Sequence, residues 1–242
     1  MKIIEKRCIG CGNCAIVCPV CAISIVDDVA EINKDLCVEC SVCYRDSNCP
    51  TNAVRPSRLK WPRVVRNPFS DVISTHKLTG VPGRGTEEMK TNDVTARFKK
   101  GEIGVSIEIG RPGVGTLLKN VNLFARRLTP LGVKYEKDSP VTALMDEEKM
   151  KIDPEIEDQR VLSAIIEFKT SKEKLGEVLT IVKEVEKEID TVFTVGIVSR
   201  FDENGNLPIA DQLKKENIEV RPNAKINVGL GRKYVEEGET KA

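Results

Sequence analysis

The clearest alternation of apolar and polar positions lies in the second half of the chain. Ile103 to Ile109 alternates apolar residues with small or polar ones, which predicts a half-buried strand. Val114 to Leu128 follows with apolar side chains at helical spacing through Leu117, Val121, Phe124 and Leu128, and Gly132 to Tyr135 predicts a short strand. A second round predicts a strand over Val161 to Phe168, a helix over Lys172 to Ile189 and a strand over Thr191 to Val198. Leu175, Val178, Ile181, Val182 and Val185 form the buried stripe of that helix. Two strand–helix–strand units in series point to an α+β plait. A helix near Pro208 to Lys215 and a strand at Ile218 to Arg221 extend it.

The first 55 residues follow another logic, set by cysteine. Eight of the nine cysteines form two copies of one pattern, Cys8-x2-Cys11-x2-Cys14-x3-Cys18-Pro19 and Cys37-x2-Cys40-x2-Cys43-x5-Cys49-Pro50. A cubane of iron and sulfide needs four thiolates converging on a small volume, and a loop supplies three of them when each follows the last at this interval. The repeat continues past the cysteines, because Cys18-Pro19-Val20-Cys21-Ala22-Ile23 echoes Cys49-Pro50-Thr51-Asn52-Ala53-Val54. Four-cysteine zinc sites also use Cys-x2-Cys pairs, but they require neither the third cysteine at this spacing nor the proline after the fourth. A disulfide framework fits less well still, since the cysteines stop at residue 49 of 242 and no signal peptide is visible.

These residues resemble a bacterial-type 2[4Fe-4S] ferredoxin. The resemblance implies that one cluster is held by Cys8, Cys11, Cys14 and Cys49 and the other by Cys37, Cys40, Cys43 and Cys18, with each terminal cysteine starting a short helix back toward the opposite cluster. It also implies a pseudo-twofold pair packed on shared Ile and Val side chains. Small residues at Gly10, Gly12, Ala15 and Ser41 let backbone N–H groups approach the sulfides. The second motif departs from the commonest pattern by five residues, Tyr44 to Asn48, between its third and fourth cysteines. Cys21 stands where such ferredoxins often carry glycine, and its expected role is that of a small buried residue beside a cluster.

Charge separates the chain into three parts although the net charge is only +1. Residues 1–54 carry 5 basic against 7 acidic side chains, 55–134 carry 16 against 6, and 135–242 carry 17 against 24. Arg55, Arg58, Lys60, Arg63 and Arg66 follow one another with no intervening acid. Aromatic residues make up only 4% of the chain and no recognition motif accompanies the basic stretch, which argues against nucleic acid and for an anionic cofactor or an acidic partner. No apolar stretch approaches a membrane span of about 18 residues. Oxygen-labile clusters and free thiols point to the reducing cytoplasm of an anaerobe. Trp61-Pro62-Arg63 and Asn67-Pro68-Phe69 predict an extended connector, with short strands at Val64-Val65 and Val72-Ile73-Ser74.

Two glycine-rich loops are the remaining candidates for chemistry. Gly83, Arg84, Gly85 and Thr86 share their ingredients with Arg111, Gly113, Gly115 and Thr116, and the second set opens the predicted helix directly after a strand. Convergent N–H groups, a helix N-terminus and a hydroxyl make an anion cradle suited to a flavin phosphate, a nucleotide or a coenzyme A derivative. Arg84 or Arg111 completes a charge-assisted fork. Neither loop carries the ending of a nucleotide-hydrolysing phosphate loop, and the competing role is a simple tight turn. His76, the single histidine, is a candidate proton donor or an ordinary hydrogen-bonded loop residue. The phrases Gly83 to Asp93 and Ile109 to Thr116 also resemble iron–sulfur reductases of the 6-hydroxynicotinate reductase-like kind, which implies a ferredoxin-linked reductase that uses a flavin, bound here or on a separate subunit.

The expected architecture is α+β. A two-cluster ferredoxin domain over 1–57 leads through a basic, Gly/Pro-rich connector over 58–101 to a ferredoxin-like α/β plait domain over 102–242. The expected function is electron transfer within a hetero-oligomeric anaerobic reductase, through two [4Fe-4S] clusters to a flavin or metal centre on a redox partner. Two alternatives stay open: a catalytic flavin and iron–sulfur reductase, and a protein for redox-linked ligand sensing or metalloenzyme activation.

Overall fold

The computed structural model describes residues 1–81, 98–111, 113–146, 148 and 150–218. Gly83, Arg84, Gly85 and Thr86, and the strand expected to end at Arg221, therefore lie wholly or in part outside the described residues. Within the first 55 residues, β1 (Lys2–Ile3) pairs antiparallel with β4 (Val54–Arg55), and β2 (Ile23–Val26) forms a hairpin with β3 (Val29–Ile32). Asp27 and Asp28 make the hairpin's two-residue turn, both at positive φ (46° and 61°), the conformation that matches the twist of the flanking strands. Helices α1 (Asn13–Ile16) and α2 (Val42–Arg45) are one turn each and carry the third cysteine of each motif. The helices thus surround Cys14 and Cys43, whereas Cys18 and Cys49 are each followed by a turn rather than by the expected helix. Met1, Ile23, Ala30 and Val54 close this unit's small core around Cys14 and Cys43.

The second unit is built on a four-stranded antiparallel sheet of order β10-β5-β9-β7, with β5 at Glu102–Ile109, β7 at Lys134–Tyr135, β9 at Ala164–Ser171 and β10 at Phe193–Ser199. Helix α3 (Asn120–Leu128) connects β5 to β7 and α4 (Leu175–Glu186) connects β9 to β10. Ile103, Val105, Ile107 and Ile109 alternate onto one face of β5, and Ala164, Ile166 and Phe168 do the same from β9. Val121, Phe124, Ala125 and Leu128 recur at helical spacing on α3, and Leu175, Val178, Leu179, Val182 and Val185 on α4. Both stripes are buried in one core with that sheet face. A last helix, α5 (Ala210–Lys215), adds Leu213 to it.

Three expectations change. The helix expected from Val114 begins only at Asn120, because Gly113 and Gly115 hold positive φ (60° and 78°) and Thr116–Leu117 pairs as β6 with β8 (Arg160–Val161). Val64 and Val65 lie in a 3-10 turn, Arg63–Arg66, and Val72 to Ser74 form no strand. The connector is also packed rather than free. Val65 and Phe69 enter the second unit's core, and Leu162 N donates to Ser70 Oγ at 2.9 Å.

Ile107, fully buried on a strand paired on both sides, should respond as a core residue. Ile107→Ala is expected to lower unfolding stability by about 2–5 kcal/mol, read as a lower denaturant midpoint at unchanged slope.

Candidate metal centre

Two pockets of similar size, 310 and 320 Å³ including space open to solvent, each gather four thiols. Cys8, Cys11, Cys14 and Cys49 line the first, and Cys18, Cys37, Cys40 and Cys43 line the second. Each pocket draws three cysteines from one repeat and the fourth from the other. All nine cysteines are free thiols, and among the described residues no three His, Cys, Asp or Glu side chains stand close enough to share a single metal ion. A cubane asks for a different spacing, one thiolate to each iron of a multi-iron core.

The two repeats match in backbone conformation as well as in sequence. Gly10 and Glu39, which precede the second cysteine of each motif, have φ of 65° and 58°. Gly12 and Ser41, which follow it, have φ of 79° and 62°. Cys21 and Asn52, three residues after the terminal cysteines, both have φ of 50°. Behind the terminal cysteines, Ala22 N donates to Cys18 Sγ at 3.2 Å and Ala53 N to Cys49 Sγ at 3.2 Å. Ala30 N approaches Cys8 Sγ at 3.3 Å. Such N–H donors stabilise charge on sulfur and so favour the ligating thiolate.

Burial works against that charge while the thiols carry protons. It pushes the Cys43 thiol up to about 12, with the neighbouring sulfurs of Cys40, Cys37 and Cys18 adding to the rise. Cys40 and Cys14 are raised in the same way, first by burial and then by their neighbouring cysteines. Cys49 goes the other way: burial alone would raise it, but donors including the Ala53 N–H and the Thr51 hydroxyl outweigh burial and hold it below the usual thiol range. Sulfurs that resist charge, as Cys14, Cys40 and Cys43 do, are a poor resting arrangement as thiolates in a bare protein. They become a good one around iron, whose positive charge deprotonates its ligands. The donor set and its spacing therefore fit an iron–sulfur cluster.

The second cysteine loop is braced by a network built largely from the connector. Arg66, itself buried, donates through Nη1 to Cys37 O at 2.8 Å and Lys34 O at 3.0 Å, and through Nε to Gln159 Oε1 at 2.9 Å. Arg63 Nε bonds Glu39 Oε1 at 2.7 Å and its Nη1 bonds Lys34 O at 2.7 Å. Asn67 Nδ2 donates to Glu39 O at 3.0 Å, and Arg45 bridges Cys40 O (3.1 Å) to Asp71 (2.8 Å). Glu39 also accepts from the Met1 amino group. Burial would raise the Glu39 carboxyl, but the hydrogen bonds and charges of Met1 and Arg63 prevail and keep it below the usual carboxylate range. Two of the five basic residues marked out in the sequence, Arg63 and Arg66, are thus bonded to the cysteine loop itself. This network is absent from the sequence reading. Its one visible signal is that a charged residue, Glu39, stands where the first repeat has Gly10.

The other candidates fall elsewhere. The Gly110–Thr116 loop lies against the cysteine unit: a Cβ at Gly113 would meet Pro19 O at 3.8 Å, and one at Gly115 would meet Val20 Cγ1 at 3.6 Å. Arg111 pairs with Glu108 at 3.0 Å, and the Thr116 hydroxyl, buried, donates to Leu117 O and accepts from Asn120 Nδ2 at 3.0 Å. Gly83, Arg84, Gly85 and Thr86 are outside the described residues. Cys21 is exposed and lines neither pocket, which corrects the expectation that it is buried. His76 is buried with its Nδ1 3.2 Å from Thr79 Oγ1 and its ring edge-on to Phe69, and burial keeps the imidazole below its usual pKa.

The family model for the 4Fe-4S binding domain matches residues 1–24. The chain is 30% identical over 97 residues to "Ferredoxin Fdx2" of Sorangium cellulosum, covering 40% of this chain and 96% of that one. It is 45% identical over 47 residues to "Ferredoxin YfhL" of Escherichia coli, covering 19% and 55% of the two chains. It is 35% identical over 56 residues to "Pyruvate synthase subunit PorD" of Methanothermobacter marburgensis, covering 23% and 63%. No solved structure matches. The chain belongs to the iron–sulfur ferredoxins, with a 4Fe-4S domain at its N-terminus, and is a ferredoxin-like electron carrier.

The first motif depends on a missing side chain at Gly10. At φ 65°, a Cβ at Gly10 would stand 2.7 Å from Asp28 O, so the backbone of the β2–β3 hairpin would have to shift. Gly10→Ala is expected to lose iron, read by iron and acid-labile sulfide per chain.

Proposed function

We propose that the chain is the electron-transfer component of a multi-subunit reductase and carries two [4Fe-4S] clusters. Cys8, Cys11, Cys14 and Cys49 hold one, and Cys18, Cys37, Cys40 and Cys43 hold the other. The observation that carries this reading is the pair of four-thiol pockets, each completed by a cysteine from the opposite repeat. When bound, such clusters supply one-electron transfer. The chain's own residues place the thiolates, steady them with the amides of Ala22, Ala30 and Ala53, and brace the second cysteine loop from the connector.

The rest of the chain is too large for a bare carrier and supports a role inside an assembly. We assign 102–242 to an α+β plait domain, a reading favoured by the strand order β10-β5-β9-β7 with a helix in each crossover. Residues 58–101 join it to the cluster domain over 1–57. The relative named as a subunit of pyruvate synthase favours a multi-subunit partner, and the 6-hydroxynicotinate reductase-like phrases favour a reductase. The acceptor beyond the second pocket is then a flavin or metal centre on another subunit, in a reducing cytoplasm. Among the described residues no helix is long and apolar enough to cross a membrane.

Anaerobically purified protein is expected to hold about eight iron atoms per chain, and Cys43→Ser to hold about four. About four in the unaltered chain would refute the pair of cubanes. Co-purification under the same conditions should bring down an oxidoreductase subunit, and a chain that travels alone and reduces a substrate unaided would contradict the component role.

A further inference from the structure

The matched repeats differ sharply in charge around their pockets. The polar side chains lining the two pockets besides their thiols are neutral, Asn13 and Thr51 in the first and Ser41 in the second, and the difference lies in what the second cysteine loop is bonded to. At the second pocket, carbonyls of Cys37 and Cys40, two of its four cysteines, accept from Arg63, Arg66 and Arg45. Three guanidinium groups and the Met1 amino group there face three carboxylates, Glu39, Asp71 and Asp35, so the loop keeps an excess of positive charge. Arg66 is 7% exposed, and a charge shielded from solvent acts on its neighbours with little screening.

Reduction adds one negative charge to a cluster. Low dielectric surroundings oppose that charge, and fixed cations favour it; at the second pocket the cations are hydrogen-bonded to the ligand loop itself. The first pocket meets solvent, with Cys11 exposed and Ile9 60% exposed at its rim. The second meets the other unit, where Val38 and Cys40 pack on Leu162 and Arg66 reaches Gln159.

We infer that Arg63 and Arg66 are tuning residues that raise the reduction potential at the second pocket above that at the first. An electron from an external one-electron donor, arriving at the Cys11 edge, then comes to rest on the side facing the second unit. The transfer moves one electron from the first pocket to the second, and no bond or proton changes hands. This direction rests on the two-cluster reading above.

The test is a potentiometric titration of the reconstituted full chain followed by EPR, with iron counted on the same samples and Cys43→Ser used to assign the second pocket's midpoint. Arg66→Met should lower that midpoint alone, making reduction there roughly tenfold less favourable, about 59 mV for a one-electron couple. Arg66→Lys, which keeps the charge, should move it less. No shift, an equal shift of both midpoints, or equal effects of Met and Lys would overturn the inference while leaving eight irons in place. Where Arg66→Met fails to hold iron, Arg63→Met and Arg63→Lys decide the matter in the same way, at a guanidinium 25% exposed. About four irons in the unaltered chain is a separate failure, of the two-cluster reading itself.

Discussion

Eight sulfurs held in two small volumes are the constraint on which this structure depends. Among them Cys14, Cys40 and Cys43 are raised by burial and by neighbouring cysteines, most of all Cys43, and only bound cations make four thiolates at one place stable. The backbone does what it can in advance. Left-handed residues at matched positions turn each loop about its pocket, and amides behind Cys18 and Cys49 point at sulfur. Because each pocket takes one cysteine from the other repeat, neither half closes without its twin. The exchange also explains why a core of little more than Met1, Ile23, Ala30 and Val54 suffices: metal–thiolate bonds supply cohesion that a unit of this size does not get from apolar burial alone.

The two halves are alike in backbone and unlike in setting. The connector passes over the second cysteine loop and gives it Arg63, Arg66 and Asn67, then sends Val65 and Phe69 into the core of the other unit. A basic stretch that looks, as a sequence, like an invitation to an anionic ligand is therefore partly consumed within the chain. Carbonyls at the ends of a cysteine loop have few local partners, and a planar guanidinium is suited to collect several of them at once. Arg66 does so for Lys34 and Cys37 while holding Gln159 across the boundary between units.

What could be read from the sequence follows the range of the interactions involved. Cysteine spacing is local and periodicity is local, so the two repeated cysteine motifs, the strand at 103–109 and the two main helices were legible, whereas the exchange of one cysteine between repeats came only from the resemblance to two-cluster ferredoxins. The hairpin turn at Asp27-Asp28 and the late start of the third helix depend on backbone conformation. At the latter, Gly113 and Gly115 interrupt a pattern that apolar spacing alone would carry on to Val114. The arginine network was the least legible part, because Arg66 meets Cys37 across 29 positions and Gln159 across 93. Nothing in a one-dimensional pattern distinguishes an arginine bound for a buried carbonyl from one bound for solvent.

The Gly110–Thr116 loop shows how the same residues serve two physical ends. Glycines that would free N–H groups for a phosphate also permit backbone to approach backbone. At Gly110 a Cβ would stand 2.8 Å from Gly115 C and 3.0 Å from Leu162 O, and at Gly115 one would stand 3.0 Å from Val161 O, so the closeness of the loop to Leu162 and to β8 depends on those two missing carbons. Leu162 in turn packs on Val38 and Cys40 at the second pocket. The loop is thus part of the surface against which the cysteine unit is seated, and Thr191 Oγ1 fixes it from the other side by donating to Gly115 O at 2.7 Å. Position at the second pocket is in this way set from both directions, by arginines of the connector and by glycines of the sheet unit. A change at either would reach the thiols through contacts that are already tight.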